Sequence, residues 1–156
     1  MRRVGCAAVI ALVAAMSSPA PAGALEPGCR KPQARAVVKG FVEAFSRGDV
    51  DYLDQLWAAE PDFFWYSVNT DATRRGVLAE DRSTLPAYFH ERSSLGDALR
   101  IRKLTVDWEA DWHGAWGIDF VVRRTSDEPG ATGVYSGTGA VTCNRMIAWA
   151  MAKQSG

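Results

Sequence analysis

The chain has 156 residues, of which 47% are hydrophobic, and its 18 Lys and Arg residues balance its 18 Asp and Glu residues. A chain with neither an excess of positive charge nor a basic stripe lacks the electrostatic footprint of a nucleic-acid-binding or membrane-surface protein. Small, largely neutral molecules are therefore the expected partners, and nucleic acid is not.

The first 24 residues have the three parts of a secretory signal peptide. Arg2 and Arg3 provide the charged start, an apolar run follows over 4–16, and small residues lead to Ala24. The apolar run of 13 residues is shorter than the roughly 20 that a membrane-spanning helix needs. We therefore expect cleavage after Ala24, a secreted or periplasmic location without a stable membrane anchor, and a single domain over residues 25–156.

Two cysteines remain after the signal peptide is removed, because Cys6 leaves with it. Cys29 and Cys143 form an even pair in an oxidising compartment, which favours a disulfide between them. This bond would close a loop of about 115 residues, for which chain-entropy arguments allow on the order of 4–5 kcal/mol. Two buried free thiols are the alternative. His90 and His113 show no metal-ligand spacing with the cysteines, so we expect neither a metal nor a cofactor.

Helical periodicity dominates the first half of the mature chain. Apolar residues over 37–45 recur on one face of a helix, and Gly48 ends it. The remaining predicted elements of this half are a second helix capped by Asp49 and ended by Pro61, a short buried strand over 62–67, a loop over 68–80, and a third helix from Ser83 or Thr84 to Gly96.

From Leu99 the period of the apolar residues changes from 3.6 to 2, which is typical of strands with one buried and one exposed face. The alternation predicts long strands over 104–112, 116–123 and 134–142 and a short last strand over 146–151. The first two of these strands should pair antiparallel across a turn at His113-Gly114. The predicted fold class is α+β, with three helices against a mainly antiparallel sheet.

The stretch between Ala36 and Trp57, VVKGFVEAFSRGDVDYLDQLW, resembles the opening of the nuclear transport factor 2-like superfamily, which includes the SnoaL-like proteins and ketosteroid isomerase. The shared features are an apolar first helix, the break at Gly48-Asp49, and a second helix that ends in a bulky residue. The resemblance implies a cone-shaped α+β barrel, with three helices packed in a strongly curved sheet around an apolar cavity. It also implies a homodimer through the outer sheet face.

In the isomerases of this superfamily, the residues that face the cavity carry out catalysis, so the matching positions of this chain are the ones to compare. Where the isomerases have a Tyr on the first helix, this chain has Phe41, and Tyr66 or Ser67 stands where they have a carboxylate. A different set of acid–base residues consists of His90, Asp119 and Tyr66, which SnoaL-like chemistry would use for proton transfer. The alternative is that His90 lies on a solvated helix flank and that Asp119 faces outward.

Aromatic residues give the second candidate site. The candidate ligand-binding pocket consists of Phe41, Phe45, Trp65, Trp108, Trp116 and Phe120. These rings could stack on a flat ligand, and the alternative is that they only fill the core.

Two functions therefore lead, and a purely structural dimerising domain with a filled cavity is a third hypothesis. The first is an exported binding or accessory module that takes a small apolar or aromatic molecule without chemistry. The second is a SnoaL-like small-molecule isomerase or lyase that uses the His, Asp and Tyr of the cavity. Fold alone does not choose between an enzyme and a binding module.

Overall fold

A computed structural model describes residues 29–69, 81–108 and 114–155 of the chain. The predicted signal peptide over 1–24 and His113 of the predicted turn lie outside the described residues. No helix in the described ranges is long and apolar enough to cross a membrane.

The three predicted helices are present. They are α1 (Lys31–Arg47), α2 (Val50–Leu56) and α3 (Leu85–Ser94). Gly48 ends α1 with a φ of 68°, a left-handed conformation that glycine adopts without steric cost. The Asp49 carboxylate then accepts a hydrogen bond from the Tyr52 N–H at 3.2 Å and caps α2. The Gly-Asp pair therefore forms the break between α1 and α2 that the sequence predicted.

Five strands form one sheet in the order β1-β5-β4-β3-β2. They are β1 (Trp65–Asn69), β2 (Ala98–Trp108), β3 (Trp116–Thr125), β4 (Gly133–Val141) and β5 (Met146–Lys153). β1 pairs parallel with β5, and the other neighbours pair antiparallel. The α+β class, the three helices, the mainly antiparallel sheet and the pairing of β2 with β3 are thus confirmed.

Most strand boundaries differ from the predicted ones, and the largest difference is at β2, which begins at Ala98 and not at Leu104. β1 begins at Trp65 and not at Asp62, because the N–H groups of Asp62 and Phe63 both donate to the Ala59 carbonyl in a turn, at 2.9 and 3.0 Å. β5 is longer than predicted and continues to Lys153. It pairs on both edges, with β4 and with β1, so backbone hydrogen bonding extends it beyond its apolar run.

The sheet register brings alternate residues onto the face that the helices cover. Phe120 pairs with Leu104 on one side and with Gly137 on the other. A Cβ at Gly137 would lie 2.6 Å from the Phe120 ring, so a side chain at this position is excluded. The indole of Trp149 stacks on the Phe120 ring with centroids 3.6 Å apart. The bare backbone at Gly137 therefore makes room for a stacked pair at the centre of the sheet.

The predicted Cys29–Cys143 disulfide is also present, with 5.6 Å between the Cα atoms. It joins Cys29, two residues before the start of α1, to the turn between β4 and β5. The Trp116 indole N–H donates a hydrogen bond to the Cys29 sulfur at 3.2 Å. The start of α1 is therefore fixed to the end of the sheet at which β2 ends and β3 begins.

Candidate functional site

Ring contacts run without a break through the space between the helices and the sheet. The Phe41 ring lies 4.8 Å from that of Trp149 and 5.8 Å from that of Trp57, centroid to centroid. Trp57 in turn contacts Tyr66 edge to face at 5.4 Å. We call the connected buried rings the aromatic interior: Phe41, Phe45, Trp57, Phe63, Tyr66, Tyr88, Phe89, Phe120 and Trp149.

Short-range sequence patterns position these rings. Phe41 and Phe45 are four residues apart on α1, so both face the sheet. Tyr66 and Trp149 are register partners on the parallel strands β1 and β5, and their side chains therefore leave the same face of the sheet. Trp57 follows α2 directly and lies over that face, 1% exposed.

A buried group of charges adjoins the aromatic interior where α3, β2 and β3 meet. Arg124 is 1% exposed and binds the Asp97 carboxylate through both Nε and Nη2. Arg92 lies 3.9 Å from the same carboxylate and binds Glu128 at 2.6 Å. We call Arg92, Asp97, Arg124 and Glu128 the ionic cluster.

Tyr88 joins the two regions. The centroid of its ring lies 5.1 Å from that of Tyr66 and 5.5 Å from the Arg92 guanidinium. Burial raises the pKa of Tyr88 to about 12, an effect that the neighbouring Tyr66 hydroxyl and, to a smaller extent, the Arg124 and Arg92 charges reduce in part. Burial also raises the pKa of Tyr66 well above its ordinary value, with the neighbouring Tyr88 adding to the shift. Both phenols therefore stay protonated at neutral pH and act as neutral hydrogen-bonding groups.

Six buried side-chain atoms have no hydrogen-bond partner within the part of the chain that the structure describes. They are Trp57 Nε1, Tyr66 Oη, Arg92 Nε, Asp97 Oδ1, Arg124 Nη1 and Trp149 Nε1. We call them the unpaired set. Each such atom costs about 1–3 kcal/mol relative to a hydrogen-bonded one, and native proteins contain few of them. All six belong to the aromatic interior or to the ionic cluster, which makes these two regions the candidate site.

The structure separates the three residues predicted to carry out proton transfer. Tyr66 is fully buried in the aromatic interior. His90 follows Phe89 on α3 but is exposed, and Asp119 is exposed on the outer face of β3. Neither is brought to Tyr66.

The six predicted pocket residues are also divided. Phe41, Phe45 and Phe120 are buried in the aromatic interior. Trp116 is half-buried and contacts Trp108, which is 48% exposed, at the disulfide end of the sheet. The side chain of Trp65 lies outside the described part of the chain.

Sequence reasoning missed the ionic cluster, although one of its members has a sequence signal. The alternation of Trp116, Ile118, Phe120 and Val122 continues to Arg124, which places this arginine on the inner face of β3. Arg92 lies four residues after Tyr88 and so shares its helix face. Asp97 has no comparable signal, since only the tertiary fold brings it to Arg124.

The charged residues of the site do not form a metal centre. Among the described residues, no group of three or more His, Cys, Asp and Glu side chains could hold a metal ion. The arrangement offers neutral donors, one buried carboxylate engaged by arginine, and aromatic surface. Groups of these kinds line the binding sites of polar-tipped aromatic molecules.

Comparison with known proteins shows the fold. No family model matches the chain, and no curated protein matches it. Among solved structures, the chain is similar to a proposed ketosteroid isomerase from Kribbella flavida. The two share 14% sequence identity over 80% of each chain, with a TM-score of 0.58. It is also similar to an LEH-like epoxide hydrolase from M. tuberculosis, at 14% identity over 79% of each chain and a TM-score of 0.56. A further similar structure is an NTF2-like protein of unknown function from Cytophaga hutchinsonii, at 10% identity over 76% of this chain and 87% of that one, with a TM-score of 0.53. The chain therefore has the nuclear transport factor 2-like fold that its first helices resemble.

Proposed function

We propose that this chain is an exported binding module of the nuclear transport factor 2-like type. Its cone-shaped sheet and helices take a small, flat, mainly apolar molecule that carries a hydrogen-bonding group. The molecule binds in the aromatic interior and undergoes no reaction there.

The observation that carries this proposal is the position of three members of the unpaired set. Trp57 Nε1, Tyr66 Oη and Trp149 Nε1 are all buried, and their rings all belong to the aromatic interior. Indole N–H groups in particular find a partner when they are buried in proteins. A ligand with an accepting oxygen would supply partners for such donors and contact the surrounding rings at the same time.

Binding is favoured over proton transfer because of where the titratable groups lie. The isomerase or lyase alternative needs His90 and Asp119 beside Tyr66, whereas both are exposed. The pKa of Tyr66 is raised by burial, so its hydroxyl is a donor and not a base at neutral pH. The proposal therefore assigns no residue a catalytic role.

Export is part of the proposal. It is supported by the signal-peptide pattern of residues 1–24 and by the Cys29–Cys143 disulfide, since disulfides persist in oxidising compartments. Expression in an exporting bacterial host and mass determination of the secreted chain test it. A mature chain that begins at Leu25 is expected, and an unprocessed chain retained in the cytoplasm would contradict it.

The binding proposal can be tested with two buried tyrosines whose hydroxyls differ in hydrogen bonding. Tyr66 and Tyr135 are both fully buried, but the Tyr135 hydroxyl donates to the Ala131 carbonyl at 2.7 Å, whereas Tyr66 Oη belongs to the unpaired set. Isothermal titration calorimetry with 2-naphthol measures binding to the wild type, to Tyr66→Phe and to Tyr135→Phe. Urea unfolding without ligand measures the stability of the same three proteins.

We expect opposite results for the two variants. Tyr66→Phe weakens 2-naphthol binding several-fold and leaves the free energy of unfolding unchanged or higher, because it removes a buried atom without a partner. Tyr135→Phe leaves binding unchanged and lowers the free energy of unfolding by about 1 kcal/mol. Absence of heat for 2-naphthol on the wild type, or equal binding by the wild type and Tyr66→Phe, would sink the proposal.

A further inference from the structure

The ionic cluster has features that a purely structural ion pair does not need. Its two arginines and two carboxylates balance in charge, and Glu91, which also pairs with Arg92 at 2.6 Å, is exposed to solvent. The four members of the ionic cluster together therefore carry no net charge. An additional buried anion would be uncompensated, and burying an unpaired charge is costly.

The cluster nevertheless has one hydrogen-bond donor and one acceptor that lack partners. Arg124 Nη1 is a donor and Asp97 Oδ1 is an acceptor, and both belong to the unpaired set. The Asp97 side chain is fully buried and that of Arg124 is 1% exposed, so bulk water does not reach them. Hydrogen bonds to charged groups are the stronger ones, and their absence is correspondingly costly.

The cluster is also contiguous with the aromatic interior. Tyr88 contacts both the Arg92 guanidinium and the Tyr66 ring. The Arg124 charge lowers and the Asp97 charge raises the pKa of both Tyr66 and Tyr88, although burial has the larger effect. A small molecule in the aromatic interior would therefore end near the ionic cluster.

We propose that Asp97 and Arg124 select, at one end of this molecule, a neutral group that both donates and accepts a hydrogen bond, namely a hydroxyl or a primary amide. The inference rests on the proposed function. The group accepts from Arg124 and donates to Asp97. A ketone would leave Asp97 Oδ1 without a donor, and a carboxylate would place a second negative charge beside Asp97.

Compounds that share one ring system and differ in the end group test this inference on the wild-type protein. 2-Naphthamide and methyl 2-naphthyl ketone have nearly the same shape, but only the amide donates hydrogen bonds; 2-naphthoate adds the negative charge. Calorimetric titration at pH 7 gives the three dissociation constants. We expect 2-naphthamide to bind at least ten-fold more tightly than the ketone, and 2-naphthoate to bind more weakly than the amide by a similar or larger factor.

The outcomes separate this inference from the proposed function. Equal affinities for the three compounds would overturn the selection by Asp97 and Arg124 and leave the binding function standing. Tighter binding of the carboxylate would overturn it as well. Binding by none of the three compounds, nor by 2-naphthol, would overturn both.

A variant of Asp97 tests directly whether this residue causes the preference for the amide. Asp97→Asn replaces one carboxylate oxygen by an amide donor, so the ten-fold preference for 2-naphthamide over the ketone should fall to three-fold or less. Asp119→Asn makes the same chemical change on the exposed face of β3 and should keep the full preference. If Asp97→Asn does not fold, the compound series on the wild type still decides the question.

Discussion

The two ends of the sheet are held together by different chemistry. Where β2 ends and β3 begins, the Cys29–Cys143 disulfide fixes α1 to the turn after β4. Where β2 begins and β3 ends, the buried pair of Asp97 and Arg124 joins the two strands. The first link is covalent and close to solvent, whereas the second is ionic and buried.

These links stabilise the fold in different ways. A disulfide acts mainly on the unfolded chain, whose conformational freedom it reduces, and does so more for longer loops. A buried ion pair acts in the folded state, where each charge offsets the desolvation of the other. One end of the molecule should therefore respond to reductant and the other to loss of a charge or to pH.

Removing the disulfide should have the largest effect. The bond spans a sequence separation of 114 residues, for which chain-entropy arguments give about 4–5 kcal/mol. The double variant Cys29→Ser and Cys143→Ser should lose that much free energy of unfolding in urea. Excess dithiothreitol should lower the urea midpoint of the wild type and leave that of the variant unchanged. Equal midpoints for the oxidised wild type and the variant would contradict this account.

Removing one partner of the buried ion pair should have the second-largest effect on the free energy of unfolding. Arg124→Met leaves the Asp97 carboxylate buried without its main partner, which costs about 3–5 kcal/mol in comparable cases. The double variant Arg124→Met and Asp97→Leu removes both charges and should recover much of that loss. Urea unfolding of the two variants measures the difference. If the double variant lost as much free energy of unfolding, relative to the wild type, as the single variants Arg124→Met and Asp97→Leu lose together, the two residues would act independently. The ionic end would then need another explanation.

The sequence predicted the first of these links and not the second. Once the signal peptide is subtracted, Cys29 and Cys143 are an even pair, and cysteine chemistry leaves few alternatives. Arg124 follows the apolar alternation of β3 onto the inner face, but alternation alone does not show that a cation can be buried there. That depends on Asp97, which precedes β2 and reaches Arg124 only through the pairing of β2 with β3.

The candidate site, too, could be predicted only in part, because some of its features depend on the tertiary fold and not on local sequence patterns. Periodicity and turn residues predicted the helices and strands well, because local patterns decide both. The chemistry of Tyr66, His90 and Asp119 makes them a candidate acid–base set, but only Tyr66 is buried, and His90 and Asp119 are exposed. Whether a polar atom is buried without a partner depends on every element around it, so the unpaired set has no sequence signal.

Alkaline pH should destabilise the ionic end by a smaller amount. Burial raises the pKa of Tyr88 to about 12 and also raises that of Tyr66, whereas unfolded tyrosines titrate near 10. Between these values the folded chain binds more protons than the unfolded chain, so stability is fully present below about pH 10 and falls as pH rises. The slope is about 1.4 kcal/mol per pH unit for each such tyrosine.

Urea unfolding at pH 8, 9, 10 and 11 measures this loss. Tyr88→Phe should reduce the loss between pH 10 and 11 by roughly 1 kcal/mol, since one proton no longer takes part. Tyr52→Phe, at an exposed position, is the matched control and should leave the loss unchanged. Identical pH profiles for the wild type and Tyr88→Phe would show that this phenol is not protected in the folded state.

The smallest effect is expected from the ion pair at the disulfide end. Lys31 Nζ lies 2.7 Å from Asp107 Oδ1, with the two side chains 50% and 62% exposed. Exposed pairs contribute about 0.2–1 kcal/mol because water and salt screen them, so Lys31→Met should cost no more than that. The loss should vanish in 0.5 M NaCl, whereas the cost of Arg124→Met, which acts on a buried pair, should change little with salt. A salt-independent loss above 2 kcal/mol for Lys31→Met would mean that charge contributes as much at this end as at the other, and the contrast between a covalent and an ionic end would fail.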